Sequence, residues 1–530
     1  MKKKLFAVLL AASMVLGLTA CGSNGGAKKV DTKEHVKITY MFTGSKPEGA
    51  AMDRFQEMNK KLNEILTEKC NAELEFYWIG WTDYLANYNL TIAAAAQDGT
   101  IDLIGTASDW LDAWPNAKNG AFLALSEDML KEYAPQTYAS VPKEHWELCK
   151  YDGDIYLMPE DNYAQWTNHG YIYRLDWAKK AGLANGVHSW QDMTKYFEYT
   201  TANADALGIT QSWDSDGTHN VQMASGWVAS HTNFVPVDGI CTAALWGGTK
   251  DDLYTVITPA YTDTQMMVDF ANEMKKWDEM GVWKTDVLNN STSTNRDDYR
   301  VGLVAAEQHH TQTWTDLVSP TASNTIYSDG SGAETGFFYF GEESKNVVAL
   351  SITHGAMAVS AGSKNPERAL MVYDLLRNDS ACYNLINYGI EGISYEVNGQ
   401  GLKQNPASYN PDTDNVGGAT SWWWGRNDDL EIRAADRDWK TIEELYKVYD
   451  GIKIDYPYGQ FIADTDANNI KAKIDNCNEV FGNYMKQIAY GKFQGSAEDV
   501  VAEMQAELKK AGIEDVTAEL QKQMDALYKK

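Results

Sequence analysis

Cysteine and proline are scarce in this sequence of 530 residues, which contains 6 Cys and 12 Pro. Cys70, Cys149, Cys241, Cys382 and Cys477 are isolated from one another, and no Cys-x-x-Cys or Cys/His spacing indicates a zinc site. An odd number of isolated cysteines is also not typical of a disulfide framework. We therefore expect buried free thiols and no metal site or other cofactor built on cysteine.

The sequence also lacks basic charge: 46 Lys and Arg stand against 74 Asp and Glu, for a net charge of −28. Removing residues 1–20 takes away three lysines and no acids, which moves the net charge from −28 to −31. Such a charge repels nucleic acid and anionic lipid, so neither is expected as a partner. A polyanionic ligand would require a local basic pocket, and no basic cluster is evident in the sequence beyond solvated helix ends.

Only one long apolar run is present, at residues 5–18, and Lys2, Lys3 and Lys4 precede it. The run is too short to span a hydrocarbon core of about 30 Å, which disfavours an uncleaved transmembrane helix. A basic start, a short apolar run and small residues before a cut are the parts of a secretory signal. The final Leu-Thr-Ala-Cys resembles the lipobox of bacterial lipoproteins, which implies a signal peptide over residues 1–20 and a lipid-modified Cys21. Residues 21–30 would then form a flexible, lipid-anchored linker.

Polar-tipped aromatic residues are abundant, with 18 Trp and 30 Tyr against only 14 Phe. A core alone would favour Phe and Leu, whereas Trp and Tyr combine a flat apolar face with a hydrogen-bonding edge. Sugars require such surfaces, because their C–H faces stack on indole and their hydroxyl groups need polar partners. More than half of these rings are still expected to pack in the core.

Alternating strands and helices organise the first part of the chain. Hydrophobic periodicity predicts strands at residues 36–42, 74–78 and 101–104, with helices over residues 52–66 and 84–96 between them. This alternation predicts an α/β lobe with a largely parallel sheet. Some 500 residues are too many for one core, so two or more lobes are expected.

Further elements follow the same logic along the rest of the chain. Apolar runs predict strands at residues 155–158, 170–174 and 347–352, and helices over residues 177–181, 190–203, 263–280 and 496–527. Asn365 followed by Pro366 predicts a helix start, and Gly512 predicts a break within the C-terminal helical segment.

Several segments together resemble a known family. They are residues 364–369, 387–397, 151–159 and 489–491, together with Tyr173, Arg174 and Asp176. Their order and spacing are similar to those of the family 1 extracellular solute-binding proteins of bacterial ABC importers, in particular the large Gram-positive oligosaccharide-binding type.

The resemblance implies a two-lobed α/β fold of the periplasmic-binding-protein type (type II), with the ligand cleft between the lobes. Residues 31–159 and 353–396 would form the first lobe, and residues 160–352 and 397–530 the second. The implied protein is a lipid-anchored, monomeric receptor at the extracellular face of the membrane, without catalytic residues and without a cofactor. It would capture a neutral oligosaccharide and deliver it to ABC transporter permease subunits.

Four candidate ligand-binding residues come shortly after two predicted strands. Asp109 and Trp110 come after the strand at residues 101–104, where a carboxylate beside an indole can bind two sugar hydroxyls and stack on the ring. Asp161 and Trp166 follow the predicted crossover near residue 159, where sugar-binding relatives place a carboxylate. A helix cap with a packed indole, and a solvated loop, are the alternatives. Trp81 is a weaker candidate.

The other candidates come later in the chain. His309 and Trp314 occupy the stretch where relatives present an aromatic platform, and metal ligation by the paired histidines is disfavoured because neighbouring residues cannot both point inward. Trp422, Trp423 and Trp424 are consecutive, so at least one indole should be exposed or face the cleft. A further candidate for hydrogen bonds to sugar oxygens is Arg426.

Two other functions remain open on the sequence. A secreted glycoside hydrolase shares the aromatic and acidic composition and needs two carboxylates on either side of the bond, which Asp109 and Asp161 could supply across a cleft. A peptide or amino-acid receptor would need a clear Arg/Asp pair for the ligand termini, and none is evident.

Overall fold

The computed structural model describes residues 32–162, 168–215, 219–237, 246–289, 295–318 and 333–529. The predicted signal peptide, lipid-modified Cys21 and site residue Trp166 lie outside the described residues. Among the residues that are described, no helix combines the length and apolar character that crossing a membrane requires.

The strands are short, and most of them belong to two sheets. In chain order they are β1 Val36–Thr43, β2 Ala72–Ile79, β3 Leu103–Thr106, β4 Lys150–Tyr151, β5 Asp154–Ile155, β6 Met158–Pro159, β7 His169–Arg174, β8 Gln211–Trp213, β9 Phe234–Pro236, β10 Gly247–Thr249, β11 Val304–His310, β12 Thr335–Tyr339, β13 Val347–Val348, β14 Ala356–Val359, β15 Glu396–Val397, β16 Lys403–Gln404 and β17 Lys453–Ile454.

The helices surround these sheets. In chain order they are α1 Gly49–Cys70, α2 Tyr84–Asp98, α3 Ala113–Lys118, α4 Glu127–Tyr133, α5 Pro135–Ser140, α6 Lys143–Leu148, α7 Leu175–Lys180, α8 Trp190–Ala202, α9 Ala204–Leu207, α10 Asn220–His231, α11 Pro259–Thr262, α12 Thr264–Met280, α13 Asn295–Arg300, α14 Thr311–Leu317, α15 Pro366–Asn378, α16 Ser380–Tyr388, α17 Pro411–Asp414, α18 Gly417–Thr420, α19 Trp439–Ile452, α20 Ile470–Ile488, α21 Ala497–Ala511 and α22 Ile513–Tyr528.

The first lobe is built on a sheet with the strand order β2-β1-β3-β14-β6. Strands β2 and β3 run parallel to β1, and β14 runs antiparallel to both β3 and β6. The carboxyl ends of β1, β2, β3 and β6 therefore share one edge of the sheet with the start of β14. In open α/β sheets ligands bind beyond this edge.

The second lobe is built on a sheet with the strand order β12-β7-β11-β8. Strand β7 is antiparallel to both β11 and β12, and β8 is parallel to β11. The start of β7 at His169 consequently lies beside the end of β11 at His310. Residues at these two strand ends share one edge of the second sheet.

Each lobe has a separate buried cluster, and each cluster draws on two distant parts of the chain. The first contains side chains from Ile38 to Met158 and again from Ile352 to Trp424. The second contains side chains from Tyr171 to Phe340 and again from Tyr458 to Met524. The chain therefore crosses between the lobes more than once. Any movement of one lobe against the other has to be absorbed by the backbone of these crossovers.

Several predicted elements agree with the structure. The observed bounds lie within a few residues of the predicted ones for strands β1, β2 and β7, for helices α2, α8 and α12, and for the helix start at Pro366. Gly512 separates α21 from α22 in a left-handed conformation with φ +100°. The predicted strand over residues 347–352 is wrong beyond Val348, because after β13 the chain turns toward the first lobe without pairing in either sheet.

The predicted lobe division assigns residues 397–434 to the second lobe, but side chains of this segment pack in the first. The rest of the predicted division stays a prediction. Val416, Trp422 and Trp424 are buried in the cluster of the first lobe, and Arg54 of α1 donates to Asp414 at 3.0 Å. The segment after Asp438 packs on the second lobe, where Ile442 of α19 is buried beside Ile172. Apolar contacts determine this placement. Hydrophobic periodicity shows which residues are buried, but it does not show which lobe they pack against.

Candidate functional site

The candidate site begins at the edge where the parallel strands of the first lobe end. Three connecting segments are tied together there: Ser108 N donates to Thr353 O at 3.0 Å, and Glu160 N donates to Gly355 O at 2.7 Å. The Thr353 hydroxyl also donates to Ser108 Oγ at 2.9 Å. The loop after β3, the crossover after β6 and the approach to β14 therefore form one well-connected surface.

Asp109 lies on this surface and is half-buried. Its Oδ2 accepts a hydrogen bond from His354 Nδ1 at 2.8 Å. Its other oxygen, Oδ1, is buried and has no hydrogen-bond partner within the described part of the chain. A buried carboxylate oxygen without a donor is costly, so Asp109 is prepared to accept a hydrogen bond from a ligand hydroxyl group.

Trp81, Trp110 and Trp423 form an aromatic ladder beside Asp109. The ring centroids of Trp81 and Trp110 are 6.1 Å apart at 18° between planes, and those of Trp81 and Trp423 are 6.2 Å apart at 25°. Trp81 is 44% exposed, and the other two are half-buried. Nearly parallel, partly exposed indoles present the flat apolar faces on which sugar rings can stack.

The three consecutive tryptophans divide between the core and the ladder. They form a 3₁₀ turn over Trp422–Gly425, in which Trp422 and Trp424 are buried and Trp423 is half-buried. Trp424 lies beneath Trp110, with centroids 5.9 Å apart, and its ring covers Gly105 of β3. Trp423 is thus the indole of this run that reaches the candidate site, and the other two support it.

Asp161 follows β6 as predicted, but its carboxylate is hydrogen-bonded to His145 of α6. Burial raises the pKa of Asp161, and the hydrogen bond from His145 opposes that rise. Its backbone is left-handed, with φ 64°. Asp161 therefore attaches the crossover to α6 and is not freely presented to a ligand.

Glu160, the preceding residue, is the more unusual carboxyl group of this segment. It is 5% exposed, and burial raises its pKa to about 7. Arg426, His354 and Arg377 act against this rise, and Asp428 adds to it. The sequence pattern indicates Asp161 and not Glu160, because the burial of Glu160 depends on the fold and cannot be seen in the sequence.

Histidines from the second lobe face this surface. His169 and His310 are paired across β7 and β11, and their ring centroids are 5.9 Å apart. Burial lowers the pKa of His169 to about 3 and that of His310 to about 4, and His354 of the first lobe contributes to the lowering at His310. His310 of the second lobe therefore lies close enough to His354 of the first lobe for the two rings to interact electrostatically.

The remaining second-lobe candidates have structural partners. His309 Nδ1 lies 2.8 Å from Thr313 Oγ1, and burial lowers the pKa of His309 strongly. Trp314 is 3% exposed and stacks on Phe337, with centroids 5.6 Å apart. Trp314 is consequently part of the core under the second sheet, so an exposed aromatic platform at this position is not present.

Arg426 lies at one end of the site and lines a cavity of about 670 Å³. Its Nε donates to Asp428 Oδ1 at 2.7 Å. Asn162 of the crossover, Gln312 of the second lobe and Trp423 also line this cavity. The cavity is therefore continuous with the aromatic ladder and contacts both lobes.

Among the described residues, no group of three or more His, Cys, Asp or Glu side chains is arranged to hold a metal ion.

A family model for bacterial extracellular solute-binding proteins matches residues 47–380, more than half of the chain. The chain belongs to this family. The resemblance inferred from the sequence is confirmed, and so are the solute-binding role and the extracellular location that the family implies. Residues 457–529 of this solute-binding protein also match a domain of unknown function, DUF3502.

A curated relative from Streptococcus pneumoniae serotype 4, a carbohydrate ABC transporter substrate-binding protein, is 24% identical and covers 100% of this chain and 99% of its own. Among solved structures, the N-glycan transport solute-binding protein NgtS of S. pneumoniae in complex with Man1GlcNAc has a TM-score of 0.69 at 18% identity, over 93% of this chain and 100% of its own. FusA of S. pneumoniae in complex with kestose has a TM-score of 0.62 at 16% identity, over 92% and 99%. These similarities confirm the two-lobed fold.

Proposed function

We propose that this solute-binding protein captures an oligosaccharide between its lobes and delivers it, uncleaved, to the permease subunits of an ABC importer. In the proposal the protein acts as a monomer held at the outer face of the membrane by lipid on Cys21. The named relatives support a carbohydrate ligand, since the S. pneumoniae relative is a carbohydrate transporter component and NgtS and FusA are in complex with sugars.

The observation that carries the proposal is the combination of the aromatic ladder with Asp109. The faces of Trp81, Trp110 and Trp423 suit the C–H faces of successive sugar rings. Asp109 Oδ1, buried and without a donor in the described part of the chain, suits a sugar hydroxyl group. Uncharged sugar units would bind here by stacking and by hydrogen bonds, and closure of the lobes would remove them from water.

Calorimetric titration tests the proposal, after a thermal-shift screen of gluco-, manno-, xylo- and galacto-oligosaccharides. A ligand at a hundredfold its Kd should stabilise the protein by about 2.7 kcal/mol. For the sugar that binds, Trp81→Ala should weaken binding at least tenfold. Tyr77→Ala is the matched control, because Tyr77 is also 44% exposed but does not belong to the ladder; it should leave the affinity unchanged. Absence of binding by every sugar, or equal losses in both variants, would contradict the proposal.

Chromatography of the bound sugar tests the absence of catalysis. The sugar should be recovered intact after long incubation, because Asp161, one of the two carboxylates that a hydrolase would need, is held by His145 of α6 and is not freely presented to the ligand. Release of shorter products by the wild type but not by Asp109→Asn would instead support a glycoside hydrolase.

The lipid anchor is tested by expressing the full chain and Cys21→Ser in a bacterium supplied with labelled palmitate. The wild type should be labelled and sediment with membranes, and the variant should be unlabelled. Labelling of the variant would contradict an anchor at Cys21.

A further inference from the structure

The cavity beside the aromatic ladder is lined by more cationic than acidic side chains, whereas acidic residues predominate in the chain as a whole. Four cationic side chains line it, against two acidic ones, Asp428 and Glu431. The cations are Lys403, Arg426, Arg433 and Arg437. In a chain with a net charge of −28, a cavity with an excess of positive groups is a local exception, and it is the basic pocket that the sequence did not reveal.

The arginines of the cavity are held in place by their neighbours. The guanidinium of Arg433 lies 4.9 Å from the Trp439 ring centroid and that of Arg437 lies 6.0 Å from it. Arg433 also pairs with Glu443 at 2.7 Å, and Arg437 pairs with Asp316. Guanidinium groups positioned in this way lose little freedom when they bind an anion.

Lys403 differs from these arginines because no carboxylate among the described residues forms an ion pair with it. Its ammonium group lies 4.6 Å from the ring centroid of Tyr388, and the side chain is half-buried. The nearby Glu431 instead accepts hydrogen bonds from Tyr383, Asn387 and Tyr388. Glu431, Asp436 and Asp316 act electrostatically on the Lys403 ammonium group without forming an ion pair with it. A partly buried ammonium group that no carboxylate contacts directly can still bind an anion that a ligand supplies.

The position of the cavity indicates which kind of ligand would carry such an anion. Trp423 lines the cavity and is also part of the ladder. A sugar chain that stacks on Trp81 would therefore reach the cavity within its next units. Volumes of several hundred cubic ångströms accommodate a ligand of a few rings, and this one is about 670 Å³.

We propose that the preferred ligand is an oligosaccharide with an acidic group on one terminal sugar, and that Lys403 and the neighbouring arginines bind this group in the cavity while uncharged units stack on the ladder. This inference rests on the proposed function and narrows its ligand class. The acidic group is either the carboxylate of a uronic acid or a sulfate ester, since both match an ammonium and guanidinium site.

Matched pairs of oligosaccharides test the proposal by calorimetric titration of the full chain. Each pair consists of a neutral gluco-, manno-, xylo- or galacto-oligosaccharide and the same chain with a terminal hexuronic acid, with a sulfated counterpart as a third arm. For one of the four sugars, the acidic oligosaccharide should bind at least tenfold more tightly than its neutral counterpart. The preference should decrease as salt is added. Whichever of the uronic and sulfated members binds more tightly identifies the acidic group.

Variants distinguish the effect of the cavity's cationic side chains on affinity from the effect of the protein's overall charge. Lys403→Gln should reduce the preference for the acidic member more than it changes the affinity for the neutral member. Lys403→Arg, which keeps the charge, should retain most of the preference. Lys440→Gln is the matched control, because Lys440 is 85% exposed on the neighbouring helix α19; it should preserve the preference.

The outcomes distinguish this inference from the proposed function. Binding of neutral sugars with no gain from an acidic group would overturn the inference and leave the proposed function standing. A gain that Lys403→Gln does not reduce would also overturn it. Failure of every sugar, neutral or acidic, would overturn both. Melting curves of the three variants establish that they are folded.

Discussion

Glu160 makes the stability of the protein depend on pH in a direction opposite to that of most carboxylates. Its side chain is 5% exposed, and burial raises its pKa from 4.5 to about 7. Between these two pH values the folded protein binds a proton at Glu160 that the unfolded chain has already released. Stability therefore falls as the pH rises through this window, and the loss is complete above about pH 7.

The expected size follows from the pKa change. At 1.36 kcal/mol for each pKa unit, the rise from 4.5 to about 7 corresponds to about 3 kcal/mol. Glu160→Gln removes the titration while preserving the shape of the side chain. Between pH 4.5 and pH 8, the free energy of unfolding of the wild type should fall by about 3 kcal/mol more than that of the variant.

Urea unfolding of both proteins at half-unit steps of pH measures this difference. Subtracting the variant cancels groups that titrate equally in both proteins, including the buried histidines His169 and His310. Parallel pH profiles, or a wild type that gains stability relative to the variant as pH rises, would refute the reasoning that burial dominates over Arg426, His354 and Arg377 at this site.

Three further substitutions test packing and hydrogen bonding, each measured by the change in unfolding free energy. Gly105→Ala should destabilise by roughly 1–3 kcal/mol, because its Cβ would lie 2.7 Å from the Trp424 ring; a loss below 0.5 kcal/mol would contradict this contact. Arg377→Met should cost roughly 2–3 kcal/mol, since Arg377 is buried and donates to Pro159 O at 2.6 Å; an unchanged midpoint would argue against that bond. Ser496→Ala should cost about 1 kcal/mol through loss of the capping box at α21, and a neutral result would show that the cap does not contribute.

Gly451 provides the control for the glycine substitution. It lies in α19, and a Cβ added there would meet nothing within 4 Å. Gly451→Ala should therefore stabilise the protein by roughly 0.5–1 kcal/mol, which separates the effect of close packing at Gly105 from that of glycine replacement as such.

Local patterns were sufficient to predict several of the longer elements. Alternating apolar residues located β1 and β2, the Asn365-Pro366 pair located the start of α15, and Gly512 located the break between α21 and α22. Met266, Met267 and Phe270 of α12 are buried as the helical spacing predicts. These signals depend only on neighbours within a turn or a strand, which is why one sequence reveals them.

The candidate site depends instead on contacts between distant residues. Nothing local distinguishes Trp423 from its two buried neighbours, because the 3₁₀ turn and the close approach to Gly105 decide their directions. The partner of Asp161, His145, lies on a different element. The cations of the cavity are spread from Lys403 to Arg437 and meet only in the fold.

The crossing of the chain between the lobes has a consequence for synthesis and folding. The cluster of the first lobe needs Trp424, and that of the second needs residues up to Met524. One hydrogen bond of the first lobe joins residues 360 positions apart, Arg54 and Asp414. Neither core can close while most of the chain is still being made, and contacts at such separation are slow to form. The nascent chain would consequently stay open until its last helices emerge, a state compatible with passage through a narrow export channel.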